Sequence, residues 1–166
     1  MKNTKTRAMV QGAVIAAMYA ALCHLQNIIF PNSASMMIQF RVAEALCVLA
    51  FFTKAAIPGL TVGCLLFNIT TAGALPLDFL VGSGATFLAA WLMWQLRNGK
   101  LLGLPVAGLL MPAVTNAFLV GWELSVYIGG GFWLNAMYVA MGEAAVLLTL
   151  GATLYAMMEK HSKRWL

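Results

Sequence analysis

The sequence predicts an all-α integral membrane protein of about six transmembrane helices, with both termini cytoplasmic. Three observations carry that prediction. Of 166 residues, 62% are hydrophobic and only 9% are charged, and mean hydropathy is +0.86; a soluble domain carries about a quarter charged residues. The apolar residues fall into six runs, at 8–29, 38–53, 56–73, 78–97, 104–125 and 134–158, and a span takes about 20 residues. With the N-terminus inside, Lys2, Lys5, Arg7, Lys54, Arg97, Lys100, Lys160, Lys163 and Arg164 all fall on the cytoplasmic side, leaving only Arg41 of the 10 cations elsewhere. That asymmetry obeys the positive-inside rule and requires an even number of spans. The chain 1–166 therefore reads as a single transmembrane domain.

The first run opens behind Lys2, Lys5 and Arg7, as a signal peptide does, but Ala8–Leu25 is 18 residues of apolar sequence, longer than a typical signal-peptide core. It reads as an uncleaved span. Gly12, Ala16 and Ala20 form one i, i+4 row on it, and Ala13, Ala17 and Ala21 form the next. Small residues at that spacing make a flat face for close helix approach, either within the protein or against another subunit.

The second and third runs are short and joined by Thr53-Lys54-Ala55-Ala56, with Pro58-Gly59 opening the third. The second contains Arg41 and Glu44 inside Gln39-Phe40-Arg41-Val42-Ala43-Glu44-Ala45-Leu46. A charge at the bilayer centre costs about 2.5–3.5 kcal/mol on insertion scales, so such residues line a cavity or pair with each other. On a helix their i, i+3 spacing would place them on one face. Asn68 lies near the end of the third run. Pro76 breaks the chain before the fourth, which starts at Asp78 and holds Gly82-Ser83-Gly84, a packing feature.

The fifth run carries Pro112, Asn116 and Glu123. Asn116 and Glu123 share a stripe, about 20° from exact alignment, and Pro112 removes a backbone hydrogen bond and can kink the helix. Gly129-Gly130-Gly131 leads into the sixth run, with Trp133, Asn135, Tyr138 and Glu143. Glu143 would sit about 12 Å below Asn135 at 1.5 Å per residue. A carboxylate that deep must face a partner, a ligand or water.

The outer connections 30–37, 74–77 and 126–133 contain no Lys or Arg, while Asp78 and Glu123 lie close to them. Such a mouth favours a cationic or hydrogen-bond-donating solute. Each of Asn68, Asn116 and Asn135 taken alone is equally a helix–helix hydrogen bond, and Trp122 and Trp133 taken alone are interfacial belt residues. Together, carboxylates accept from N–H edges, amides donate and accept, and indoles stack on flat rings. That set suits a planar nitrogen heterocycle better than a sugar, a fatty acid or a bare ion.

Other classes lose support. The net charge of +5 sits at segment ends, so nucleic acid is not the partner. Gly99-Lys100 lacks the upstream glycine of a phosphate-binding loop, and no H-E-x-x-H occurs. Cys23, Cys47 and Cys64 form no C-x-x-C and read as buried thiols. No metal, cofactor or catalytic residue is expected, so the chain is not read as an enzyme. The rival from that class is a small intramembrane enzyme with Glu44 and Glu143 as acid and base. A purely structural assembly subunit would need no outer polar pocket.

The block from Ile38 to Leu46, Ala56-Ile57-Pro58-Gly59-Leu60, Gly63-Cys64-Leu65-Leu66, Leu77-Asp78 with Gly82-Ser83-Gly84-Ala85-Thr86, and Phe132-Trp133-Leu134-Asn135-Ala136-Met137-Tyr138-Val139 with Gly142-Glu143 together resemble the QueT-type queuosine-precursor transporters. That family is similar to the substrate-binding S components of energy-coupling factor importers. The resemblance implies a six-helix protein in the bacterial cytoplasmic membrane that captures a 7-deazaguanine (preQ1, preQ0 or queuine) from outside. It implies association with a transmembrane T subunit and two cytoplasmic ATPases. An A-x-x-x-A motif on the first helix contacts the T subunit in such systems; here it matches Ala13 and Ala17, with Ala21 extending the row. Substrate contacts are expected from Arg41, Glu44, Asn68, Asp78, Asn116, Glu123, Trp133, Asn135, Tyr138 and Glu143. The family often has Ser or Thr where this chain has Ala43, which bears on specificity. An S component for another vitamin or nucleobase is the nearest rival.

Overall fold

A computed structural model describes residues 4–31, 40–71, 74–101 and 103–162, with side chains to 161. Most of the loop expected at 30–37, the motif residues Ile38 and Gln39, and Lys2, Lys163 and Arg164 lie outside the described residues. Helix α1 runs Thr4–Ile29. A 3₁₀ helix, Val42–Phe51, follows, then α2 (Ala56–Thr70), α3 (Asp78–Leu96), α4 (Val106–Leu109), α5 (Met111–Tyr127) and α6 (Phe132–Val146). A π turn, Leu147–Gly151, joins α6 to α7 (Ala152–Ser162). Among the described residues there is no strand, only a bridge between Leu101 and Leu104.

Among the described residues each of the six apolar runs holds a helix, but the helices are unequal. Four continuous stretches are long and apolar enough to cross a membrane: Thr4–Ile29, Asp78–Leu96, Val106–Tyr127 and Phe132–His161. The 3₁₀ helix and α2 are shorter. At about 2.0 Å per residue for 3₁₀ and 1.5 Å for α, each covers roughly 20 Å, short of the roughly 30 Å hydrocarbon core. The helices expected from the six runs are therefore four of full length and two short ones, the short pair being the second and third runs, already short in the sequence.

The 3₁₀ helix is the centre of the packing. It touches α1, α2, α3, α6, the π turn and α7, while α1–α2, α2–α3, α3–α5 and α5–α6 pack as successive neighbours around it. Ala43, Glu44, Cys47, Val48 and Ala50 are fully buried there. The apolar surface faces outward: Met9, Ile28, Ile69, Leu80, Phe118 and Met141 are all exposed. Water would penalise such a surface, whereas lipid does not.

Small residues set the helix spacing. A Cβ added to Gly63 would lie 2.7 Å from Tyr19 Cβ and 2.8 Å from the Ala16 carbonyl oxygen, and one on Gly59 would lie 2.7 Å from the Gly12 carbonyl oxygen. So the Gly12/Ala16 row of α1 is used internally, against α2. The adjacent row remains open, with Ala13, Ala17 and Ala21 exposed. The proline-linked break also appears. The helix is interrupted at Leu110, two residues before Pro112, which has no N–H to offer the turn below. Cys23, Cys47 and Cys64 are free and buried.

Candidate functional site

Four of the 5 acidic residues, Glu44, Asp78, Glu123 and Glu143, are buried, together with Arg41. A buried ion without partners costs several kcal/mol, so the donors around each carboxylate define what the interior can do.

Glu44 is held by its own fold. In a 3₁₀ helix residues i and i+3 eclipse, which stacks Cys47 on Glu44, and Cys47 Sγ donates to Glu44 Oε2 at 3.0 Å. From α1, the Tyr19 hydroxyl donates to Oε1 at 2.5 Å. Arg41 and Glu44 do not share a helical face, as their i, i+3 spacing on a helix would have them do. Arg41 precedes the helix in extended backbone, φ −83° and ψ 95°. Arg41 instead sits among several groups, within electrostatic reach of Tyr19, Cys64, Glu44 and Glu143. Its Nη1 is 3.9 Å from the position a Gly82 Cβ would take.

Glu143 meets the carboxamide of Asn116. Asn116 Nδ2 donates to both Glu143 oxygens at 2.8 Å, and both residues are fully buried. The Asn116 Oδ1 has no donor among the described residues. The helix pair α5–α6 that makes this contact is drawn together by Gly121, where a Cβ would lie 2.8 Å from Ala136 Cα.

The remaining group lies where α2, α3 and α5 meet. Asn68 Nδ2 donates to the Asp78 carbonyl oxygen at 2.7 Å, and Asp78 Oδ2 accepts from the Leu75 backbone N–H at 2.7 Å, in the turn that leads into α3. Glu123 lies beside Asp78 and within electrostatic reach of Arg41. It is fully buried, close enough to Asp78 for a carboxyl–carboxyl hydrogen bond when one of the two carries a proton, and it meets no other donor among the described residues. Asn68 Oδ1 is likewise buried without a donor.

The structure therefore buries Arg41, Glu44, Asn68, Asp78, Asn116, Glu123 and Glu143 as one polar network, with Arg41 within electrostatic reach of Glu44, Glu123 and Glu143. Asn135 is buried nearer the glycine loop. Its Nδ2 donates to the Gly129 carbonyl oxygen at 2.7 Å, and its Oδ1 lacks a donor among the described residues. Gly129, Gly130 and Gly131 all take positive φ (82–89°), which other residues rarely adopt. Trp133 is not brought to the network. It is 76% exposed, stacks edge-on against Phe132 and lines a shallow apolar groove with Ala117, Phe118, Ala136 and Met137. Tyr138 is half-buried.

Two buried polar residues were not anticipated. Tyr19 supplies the short bond to Glu44, and Gln26 ties the end of α1 to the entry of the 3₁₀ helix. Gln26 Oε1 accepts from Val42 N–H at 2.8 Å while its Nε2 donates to the Phe40 carbonyl. The signal available was a hydroxyl and an amide inside an apolar run, each needing a partner once in lipid. Among the described residues no cluster of His, Cys, Asp and Glu is placed to hold a metal ion.

An apolar exterior over four membrane-length helices, with polar side chains turned inward, defines a multi-pass membrane protein. The chain belongs to the QueT transporter family, whose model, described as QueT transporter, matches residues 9–160. The family is one of transporters rather than enzymes. Neither the curated proteins nor the solved structures contain a match.

Proposed function

We propose that this chain is the substrate-binding S component of an energy-coupling factor importer, in the bacterial cytoplasmic membrane, and that it captures a queuosine precursor of the 7-deazaguanine class. The observation that carries this reading is the buried network of Arg41, four carboxylates and the amides of Asn68 and Asn116. A guanine-like edge offers an N1–H and an exocyclic amine to a carboxylate, and its O6 accepts from an amide or guanidinium. Acceptors left without donors in the interior suit such a solute.

Orientation follows from charge. Lys54, Arg97, Lys100 and Lys160 stand at one end of the helices, so that end and both termini face the cytoplasm. Asp78 and Glu123 then lie toward the outside, the side from which the base enters. The exposed Ala13, Ala17 and Ala21 row docks the T subunit, and two cytoplasmic ATPases supply the energy. Movement of the base across the membrane then comes from reorientation of the whole subunit, a step that rests on the family alone.

Calorimetric titration of the purified chain in detergent with preQ1, preQ0, queuine and guanine tests the reading. Saturable, stoichiometric binding of a deazaguanine, lost in Glu143→Gln, is the expected result. No binding of any of these bases would overturn the substrate assignment and point to another vitamin or base. Conversion of a bound base into product would point to an enzyme.

A further inference from the structure

The end of the helices that the charge asymmetry assigns to the cytoplasm holds two cations the chain does not neutralise. Four of its 5 acidic residues are buried in the polar network, and the fifth, Glu159, pairs with Lys100. Lys54 and Arg97 have no acidic partner within 4.0 Å among the described residues. Yet the fold brings them together. Lys54, in the turn before α2, has its Nζ 5.3 Å from the centroid of the Trp94 ring, and Arg97, at the end of α3, has its Cζ 3.9 Å from the same centroid. The indole attracts each cation, but two positive charges gathered on one ring repel each other, and a shared anion offsets that repulsion. Arg97 Nη1 donates to the Trp94 carbonyl oxygen at 2.6 Å, which fixes the guanidinium and leaves it donors to spare.

A second observation is a groove that begins at Lys54. It runs between α1 and α2 with a volume of about 490 Å³, and Lys54 is the one charged residue on its wall. From Ala8 to Ala16 it follows α1 for about 12 Å at 1.5 Å per residue. Its walls include the exposed Met9 and Val62, so it opens on the bilayer. A free phosphate has nothing to place in such a groove, whereas a phospholipid has an acyl chain. Tryptophan, for its part, favours the depth of the headgroups.

We propose that Lys54 and Arg97, gathered on Trp94, bind the phosphate of an anionic phospholipid of the cytoplasmic leaflet, with an acyl chain of that lipid in the α1–α2 groove. A zwitterionic headgroup carries its own cation and brings no net charge to offset the pair, so the site selects for net negative charge. Ala13 lines both the groove and the row assigned to the T subunit; on that assignment the lipid belongs to the undocked chain.

The test equilibrates the full chain in detergent with equal amounts of phosphatidylglycerol and phosphatidylcholine of identical acyl chains. The protein is then repurified, and its retained lipid is extracted and counted by mass spectrometry. The wild type is expected to favour phosphatidylglycerol by about 10- to 30-fold, the effect of two cations near the headgroup. Lys54→Gln is expected to cut that preference by about fivefold. Trp94→Leu keeps both charges but removes the ring that gathers them, and is expected to cut it as well. Lys160→Gln takes the same charge from the same side and should leave the preference within about twofold. Equal retention of the two lipids by the wild type, equal losses in Lys54→Gln and Lys160→Gln, or a preference untouched by Trp94→Leu would each overturn the site. So would displacement of the lipid by excess inorganic phosphate at constant ionic strength, which would show a free-anion site. If Lys54→Gln and Arg97→Gln kept the lipid preference but lost co-purification with a T subunit, the cations would belong to a protein interface and the lipid site would fall. Should Trp94→Leu fail to fold, Lys54→Gln decides, since Lys54 is exposed. None of these outcomes bears on solute capture, which the base titrations test separately.

Discussion

Replacing Gly63 by alanine puts a methyl group where α1 and α2 have no room. The new Cβ would lie 2.7 Å from Tyr19 Cβ and 2.8 Å from the Ala16 carbonyl oxygen. One of these contacts is backbone and the other is the root of a fully buried side chain, so neither can turn aside as the tip of a flexible chain would. Overpacking of this kind costs about 1–3 kcal/mol, and the rigidity of both neighbours places Gly63→Ala in the upper half. Alanine regains roughly 0.5–1 kcal/mol of helix propensity, leaving a net loss of about 1–2 kcal/mol. At about 2–4 °C per kcal/mol for a chain of this length, Tm falls by roughly 2–8 °C. Gly84→Ala is the control, since a Cβ there meets nothing within 4 Å; it keeps only the propensity gain. Thermal unfolding of the two variants in the same detergent, followed by far-ultraviolet circular dichroism, reads the difference. A Gly63→Ala protein that melts with or above Gly84→Ala would refute the argument that glycine sets the α1–α2 spacing.

Asn116→Leu strips Glu143 of both its donors and is expected to lower stability by about 1–3 kcal/mol or more. Asn116→Leu/Glu143→Met should recover part of that loss, because no buried carboxylate is then left alone, and a double variant that melts no higher than the single would count against it. Ala17→Trp fills the exposed row of α1 without touching the interior. Base binding by the isolated chain should be unchanged while co-purification with a T subunit is lost, and intact assembly would remove this face from the interface. The Lys100–Glu159 ion pair is exposed, and Glu159 holds the Lys100 ammonium above its usual value of 10.5 through their hydrogen bond. Whatever it contributes is present at neutral pH and is lost as pH rises through the Lys100 titration. Glu159→Gln should therefore shift Tm little at pH 7, and a large drop there would show a role beyond the pair.

The apolar runs and the inward polar residues were legible because lipid imposes length and a partner requirement on every buried polar group. The runs could not reveal that 42–51 is a 3₁₀ helix. Val42-Ala43-Glu44-Ala45-Leu46-Cys47-Val48-Leu49-Ala50-Phe51 is apolar nearly all round, so no periodicity separates a rise of 1.5 Å from one of 2.0 Å. The Arg41–Glu44 expectation failed for that reason: it assumed a helix that begins before Arg41. The two small-residue rows of α1 are also equivalent as sequence. Only the position of Gly59 and Gly63 on α2 decides which is spent inside the protein. Trp133 looked like a stacking residue from its neighbours in the chain, but α6 turns it outward while Asn135, two residues on, turns in. Tyr19 was missed because a single hydroxyl in a long apolar helix has no spacing partner to flag it.

The three thiols have a use that the transport reading does not touch. Cys23, Cys47 and Cys64 are all buried among the helices around the central 3₁₀ segment and none is bridged. A maleimide dye that fluoresces only after alkylation would find them shielded while the fold is intact and reach them as the helices separate. The native chain thus carries its own unfolding indicator, and a cysteine added on the lipid-facing side could be labelled without first removing the natural ones.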